Sequence, residues 1–384
     1  MDQREIQKIL MEILCCSINE DHDHSYLDEK LTSEAVTDAY RIAKKHSLAH
    51  LVSRYVFKNT ISVDPEIAAK LRKMDLVTVY KYEQMKYTYN QICDIFNSAK
   101  IAYIPLKGSV IREYYPSEDM RTSCDIDILI KEKDIESAIE ALEKNNYRLG
   151  KRNYHDVSLY SSCNIHLELH FSIKENMDSL DTVLKDAWKY AHPVEGSRYE
   201  FSKEFFAFHI FAHMAYHFIS GGCGIRSLLD IRIMEDKMAI PFSCAKKLLE
   251  KAGIYTFASE MSKLAKRCFS GTQMDATDDL VLKYIFNGGV YGSAENHIAV
   301  EKAQTKSSFA YVLKRLFPPY KYMIVAYPVL KKMPFFLPLF WMVRWIRSIF
   351  GGRSKKIALE MSYINNVPCE KIEEIKKICF HLGL

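Results

Sequence analysis

The chain has 384 residues, 48% of them hydrophobic and 26% charged, which is ordinary for a soluble globular protein and long enough for about two or three packed parts. Its net charge of +5 is spread along the chain with a basic bias toward the C-terminus, so it suits phosphate-bearing ligands without demanding nucleic acid. The ten cysteines are scattered, with no CxxC pair and no Cys/His zinc spacing, and the polar start Met-Asp-Gln-Arg-Glu-Ile lacks the apolar core of a secretory signal. Reduced thiols and a cytoplasmic location are expected.

Residues 1 to about 95 predict helices. Ile6, Ile9, Leu10, Ile13 and Leu14 follow a 3.6-residue stripe, repeated by Ala35, Ala39, Ile42 and Ala43. Ser33 is placed to cap one helix, and Pro65 to open another at its first position. The pattern changes at Ile101-Ala-Tyr-Ile-Pro-Leu, short and β-prone, where a central domain opens. From there the order is a strand over 101–106, a helix over 109–114, a polar turn, a strand over 125–130, a helix over 134–146 with Asp134 as cap, then strands near 147–160 and 164–173. That is a mixed sheet with helices. After about residue 180 helical patterns return. A helix over Lys203 to Phe218 carries His209, His213 and His217 at i, i+4 spacing, Gly221-Gly-Cys-Gly224 breaks it, and a further helix holds Arg226 and Asp230, most simply an i, i+4 ion pair. Residues 323–350 are apolar but interrupted by Lys331-Lys332 and three prolines, too short to span a bilayer, which takes roughly 18 to 20 residues. Short buried helices are expected there, with contact to a membrane surface as the alternative.

The chemistry concentrates around Leu106-Lys107-Gly108-Ser109 and Asp125-Ile126-Asp127. Strand side chains alternate with period two, so Asp125 and Asp127 project from one face while Ile126 and Ile128 project from the other. Paired carboxylates are costly in a core but suit magnesium, which prefers carboxylate, water and phosphate oxygens. Gly108-Ser109 sits where a strand passes into a helix, a place whose free backbone N–H groups hold phosphate. The strand Asn164-Ile-His-Leu-Glu-Leu-His-Phe puts His166, Glu168 and His170 on one face, which makes Glu168 the natural third carboxylate. For the aspartate pair alone a solvated strand edge is the plain reading; the Gly-Ser upstream and Glu168 downstream argue against it. The histidine stripe lacks the glutamate of a His-Glu-x-x-His zinc helix and is read as packed, with His213 or His217 as a candidate for the substrate pocket.

In this order the residues resemble the nucleotidyltransferase fold of the DNA polymerase beta superfamily, and more closely its bacterial uncharacterised nucleotidyltransferase family. The matching positions are Leu106-Lys107-Gly108, Tyr115-Pro116, Arg121, Asp125-Ile-Asp127-Ile-Leu129 and Glu168-Leu-His170. Glu168 departs from the aspartate common in relatives. The resemblance implies an α+β fold, a nucleotidyltransferase-like mixed β-sheet core over 96–200 between an N-terminal helical region (1–95) and a C-terminal helical region (201–384). It also implies a metal-dependent enzyme that moves an NMP from an NTP such as ATP to a hydroxyl acceptor and releases pyrophosphate. Asp125, Asp127 and Glu168 would be the catalytic residues and hold two Mg2+ (or Mn2+) ions, with Glu168 able to orient or deprotonate the acceptor. Lys107, Gly108, Ser109, Arg121 and His170 would bind the nucleotide. The acceptor is a small molecule, a protein or a lipid-linked molecule, with nucleic acid less favoured. The competing expectation is a catalytically silent nucleotide-binding protein or a membrane-surface accessory protein of the same fold.

Overall fold

The structure, a computed structural model, describes residues 2–19, 21–175, 177–270, 272, 274–290, 292–304, 316–350 and 367–384. The chain forms two compact units, Met1–Tyr216 with Gly224–Asp279, and His217–Cys223 with Leu280–Leu384.

The first unit begins with α1 (Gln3–Ile18), α2 (Ser25–Lys30), α3 (Ser33–Lys45), α4 (Ala49–Lys58) and the long α5 (Pro65–Ser98). The predicted stripes are the buried faces: Ile6, Ile9, Leu10, Ile13 and Leu14 of α1, and Ala35, Ala39 and Ala43 of α3. Thr32, rather than Ser33, caps α3, its hydroxyl accepting from Ala35 N at 3.2 Å, an interaction worth about 1 kcal/mol. The Ser33 hydroxyl accepts from Asp64 N at 2.9 Å instead. Pro65 opens α5 as expected, and Asp64 caps it through Glu66 N.

A seven-stranded mixed sheet follows, built from β1 (Tyr103–Pro105), β2 (Asp125–Ile130), β3 (Arg148–Arg152), β4 (Asp156–Tyr160), β5 (His166–His170), β6 (Ala191–Glu195) and β7 (Arg198–Phe201) in the order β3-β4-β5-β2-β1-β7-β6. The β2–β5 and β1–β7 pairs are parallel and the others antiparallel. This is the α+β architecture expected. Between strands lie α6 (Gly108–Ile111), α7 (Ile135–Lys144) and α8 (Asp178–Leu184). One sheet face is apolar: Ile126, Ile128 and Ile130 of β2, Leu167 and Leu169 of β5, and Val157 and Leu159 of β4 pack with Met85, Ile92 and Phe96 of α5 and Ile135, Ala138 and Leu142 of α7.

Three local expectations differ in detail. The helix over 109–114 is one α turn followed by a 3-10 turn, Arg112–Tyr114. Asp134 makes no side-chain cap, because it closes a 3-10 turn that already leads into α7. The β6–β7 hairpin falls in a stretch read as helical; its turn is made by Gly196, at φ +56°, a conformation glycine adopts at no steric cost.

The remaining helices are α9 (Lys203–Ile219), α10 (Ile225–Asp236), α11 (Lys246–Lys251), α12 (Tyr255–Phe269), α13 (Ala276–Gly288), α14 (Ala294–Gln304), α15 (Tyr320–Ala326), α16 (Leu337–Phe350) and α17 (Cys369–Leu382). In the second unit the predicted glycine break allows a close backbone approach. A Cβ on Gly222, at φ +128°, would stand 3.0 Å from Gly288 Cα. Residues 323–350 form short helices as expected, but only part of their apolar surface is covered. Met323 and Leu330 are buried, whereas Phe335, Leu339, Met342 and Ile346 are exposed. Among the described residues no helix is long and apolar enough to cross a membrane.

Candidate active site

The second sheet face carries the polar residues. In the parallel β2–β5 ladder Asp125 pairs with His166, Asp127 with Glu168 and Leu129 with His170. Directly paired residues project from the same face, so the alternation that sends Ile126 and Leu167 into the core brings Asp125, Asp127, His166, Glu168 and His170 together. His170 Nε2 donates to Asp127 Oδ1 at 3.0 Å and lies 3.5 Å from Glu168 Oε2. Candidate ligand atoms of Asp125, His166 and Glu168 all lie within 4.8 Å of one another, and so do those of Asp127, Glu168 and His170. Two donor groups thus share Glu168.

Crowding of negative charge shapes the protonation of this face. Burial, then the charges of Asp127 and Glu168, pushes the Asp125 carboxyl up to about 6. Burial also opposes the charge on Asp127, but Lys107, together with the hydrogen bond and charge of His170, holds that carboxyl well below the usual range. Glu168 is lowered mainly by its hydrogen bond with His170. Burial works against protonation of His170 in turn, yet its bonds to Asp127 and Glu168 raise it to about 9, so it is an imidazolium at neutral pH.

Lys107 reaches this face from the turn between β1 and α6. Its backbone is at φ +43° and ψ −105°, a conformation costing a non-glycine residue roughly 1–3 kcal/mol, and its charge acts on both Asp125 and Asp127.

Beneath the turn lies an arginine-rich support. Arg112 Nε donates to Gly108 O at 2.8 Å and its Nη2 to Ser123 Oγ at 2.6 Å. Arg121 is buried and forks onto Asp230, Nη2 to Oδ2 at 2.8 Å and Nε to Oδ1 at 3.3 Å, while Tyr115 Oη donates to Asp230 Oδ1 at 2.7 Å. The expected Arg226–Asp230 pair is not made. Asp230 faces Arg121 and Tyr115 instead, and Arg226 Nη1 donates to Thr122 O at 2.8 Å. A Cβ on Gly108 would meet Arg121 Nη1 at 2.3 Å, so glycine there makes room for the guanidinium. Ser109 lines a cavity of about 260 Å3 with Ile126, Tyr82 and Arg112, whose wall includes Glu113 and Glu118 but none of Asp125, Asp127 and Glu168.

The histidines of α9 do not make a metal site, since no metal-type cluster among the described residues includes them. His213 Nδ1 bonds to Glu175 Oε1 at 2.9 Å, and its charge acts on Asp127. His209 is fully buried, neither ring nitrogen has a hydrogen-bond partner, and burial holds it neutral.

A family model of nucleotidyltransferases matches residues 32–270, a span that holds every residue of this site. The chain belongs to the uncharacterised nucleotidyltransferase family. No curated protein matches it. Family membership makes the protein a transferase acting on a nucleotide, and the acidic face supplies groups able to hold a metal. The donor set fits a hard divalent cation: three carboxylates crowd one face, with Asp125 and Glu168 in one group of candidate ligand atoms and Asp127 and Glu168 in the other. Two side chains that support this region were missed in the sequence. Arg112 stands four residues after Gly108, whose carbonyl it holds, in a short polar stretch that offers only a weak signal. Glu175 lies in an irregular segment after β5 and has none.

Proposed function

We infer that the protein is a metal-dependent nucleotidyltransferase that moves an NMP from an NTP to a hydroxyl acceptor with release of pyrophosphate. The observation that carries this reading is the register of β2 against β5, which sets Glu168 beside Asp127 and two residue pairs, on the same face, from Asp125. Asp125, Asp127 and Glu168 would hold Mg2+ or Mn2+. When bound, such ions supply charge stabilisation to the attacking and leaving oxygens of an in-line displacement.

The chain's own groups do the rest. Lys107 offers its ammonium to the phosphates beside the two aspartates. His170 orients Asp127 and Glu168 rather than meeting the nucleotide first. Arg121, locked to Asp230, shapes the turn at Gly108 and so acts on the nucleotide through backbone placement. Glu168 is more open to an acceptor than Asp127, its side chain 30% exposed against 18%, and as a carboxylate it can orient the acceptor hydroxyl or take its proton.

Thermal unfolding with each of the four NTPs, with magnesium or manganese, tests the reading on the wild type and on Asp125→Asn/Asp127→Asn. A metal-dependent rise in midpoint that the double variant loses, together with pyrophosphate release on supplying the acceptor, is the expected result. A folded wild type that responds to no NTP would favour a silent member of the family.

A further inference from the structure

A second cavity, of about 230 Å3, lies among α3, α4, α5, the loop before β2 and α10, and its wall includes none of Lys107, Gly108, Ser109, Asp125, Asp127 or Glu168. Lys44, Lys81, Arg112, Arg121 and Arg226 line it, against the single carboxylate of Asp119. Asp119 is occupied by Arg54, whose guanidinium meets its two oxygens at 3.1 and 2.5 Å, and Arg121 is neutralised by Asp230. Arg112 and Arg226 are held only by neutral acceptors, Gly108 O, Ser123 Oγ and Thr122 O. Neither makes an ion pair among the described residues, and nor do Lys44 and Lys81 at the exposed rim.

Enclosing guanidinium groups without a counter-charge is costly, and here they repel one another. Burial, and then the charge of Arg121, pushes Arg112 down to about 10 and lowers Arg226 as well. The wall therefore presents positive charge that no ion pair of Arg112 or Arg226 among the described residues answers. The volume falls below the roughly 300–1,000 Å3 of pockets that enclose whole drug-sized ligands, so it fits an anionic head group rather than a nucleotide. Cys124, on its wall, directly precedes Asp125, so a molecule anchored here extends toward the end of the strand that carries the carboxylates.

We propose that this cavity is an anion site that anchors the phosphate group of a phosphorylated acceptor, separate from the nucleotide's own phosphates. The assignment to the acceptor rests on the transferase reading above; the anion site itself does not.

Calorimetric titration with inorganic phosphate in buffer containing EDTA tests the site without metal or nucleotide. The expected result is saturable binding that weakens at least tenfold in Lys44→Ala/Lys81→Ala and persists in Asp125→Asn/Asp127→Asn. Absent binding, binding indifferent to the lysines, or binding lost with the aspartates overturns the site. Titrating NTP with magnesium into protein with and without saturating phosphate then tests the assignment. Unchanged NTP affinity keeps the ligands separate, whereas competition gives the cavity to the nucleotide and overturns it. If no NTP binds while phosphate does, the acceptor assignment falls and the anion site stands.

Discussion

Arg121 and Asp230, 109 residues apart in sequence, meet through two hydrogen bonds with both side chains only 9% exposed, and so tie the loop before β2 to α10. Such a pair adds little over a well-packed apolar substitute, yet removing one partner strands the other charge in a buried setting. Asp230→Ala is therefore expected to cost about 3–5 kcal/mol, read as a fall in the urea midpoint at unchanged slope. A loss below about 1 kcal/mol would mean that water or Tyr115 compensates for the missing carboxylate.

Gly108→Ala probes the same support from the other side. The added methyl would lie 2.3 Å from Nη1 and 3.0 Å from Cζ of Arg121, and the fork onto Asp230 limits how far the guanidinium can retreat. We expect a destabilisation of about 1–3 kcal/mol together with weaker NTP binding, since Gly108 belongs to the turn that carries Lys107. Wild-type NTP affinity in this variant would detach the turn from nucleotide binding.

What the sequence made legible was whatever a period could carry. The period-two alternation in 125–130 and 164–173 located both polar strands and put three carboxylates on one face, and the 3.6-residue stripes located α1 and α3. The sequence does not encode register by itself, so the pairing of Asp127 with Glu168 needed the sheet. Partners set by tertiary packing were also hidden. Asp230 has an arginine at i−4 on its own helix, a pattern that predicts Arg226, but the bidentate Arg121 and the Tyr115 hydroxyl hold it. The β6–β7 hairpin escaped because its strands are short and polar, with Pro193 inside one, a poor match to strand composition.

Acid should destabilise the protein through His50. Burial, only partly offset by the hydrogen bond to Met120 O, pushes this imidazole down to about 4 from an ordinary 6.5. It stays neutral in the fold where the unfolded chain takes a proton, so its contribution is intact above pH 6.5 and lost as pH falls toward 4. The loss approaches roughly 3 kcal/mol across that window. Burial lowers His209 in the same direction. Asp125 and His170 titrate in both proteins and cancel in a comparison of wild type with His50→Gln, whose amide can still donate to Met120 O. Urea midpoints at pH 7.5 and pH 5 should fall further for the wild type; equal falls would remove His50 as the acid-sensitive group.

Glu168 separates a metal-holding or proton-accepting carboxylate from a mere polar wall. Glu168→Gln keeps size and hydrogen bonding but removes the charge that His170 bonds at 3.5 Å and the ability to take a proton. If the acid acts in the transfer step, turnover falls by roughly 10^2 or more while the NTP midpoint shift largely remains. Glu168→Asp keeps the charge on a shorter arm, so it should retain far more activity than the glutamine variant. The charge, rather than the length, is then the requirement. Equal activity in wild type and Glu168→Gln, measured as pyrophosphate release under saturating NTP, would exclude Glu168 from the chemistry and leave Asp125 and Asp127 as the metal-holding pair.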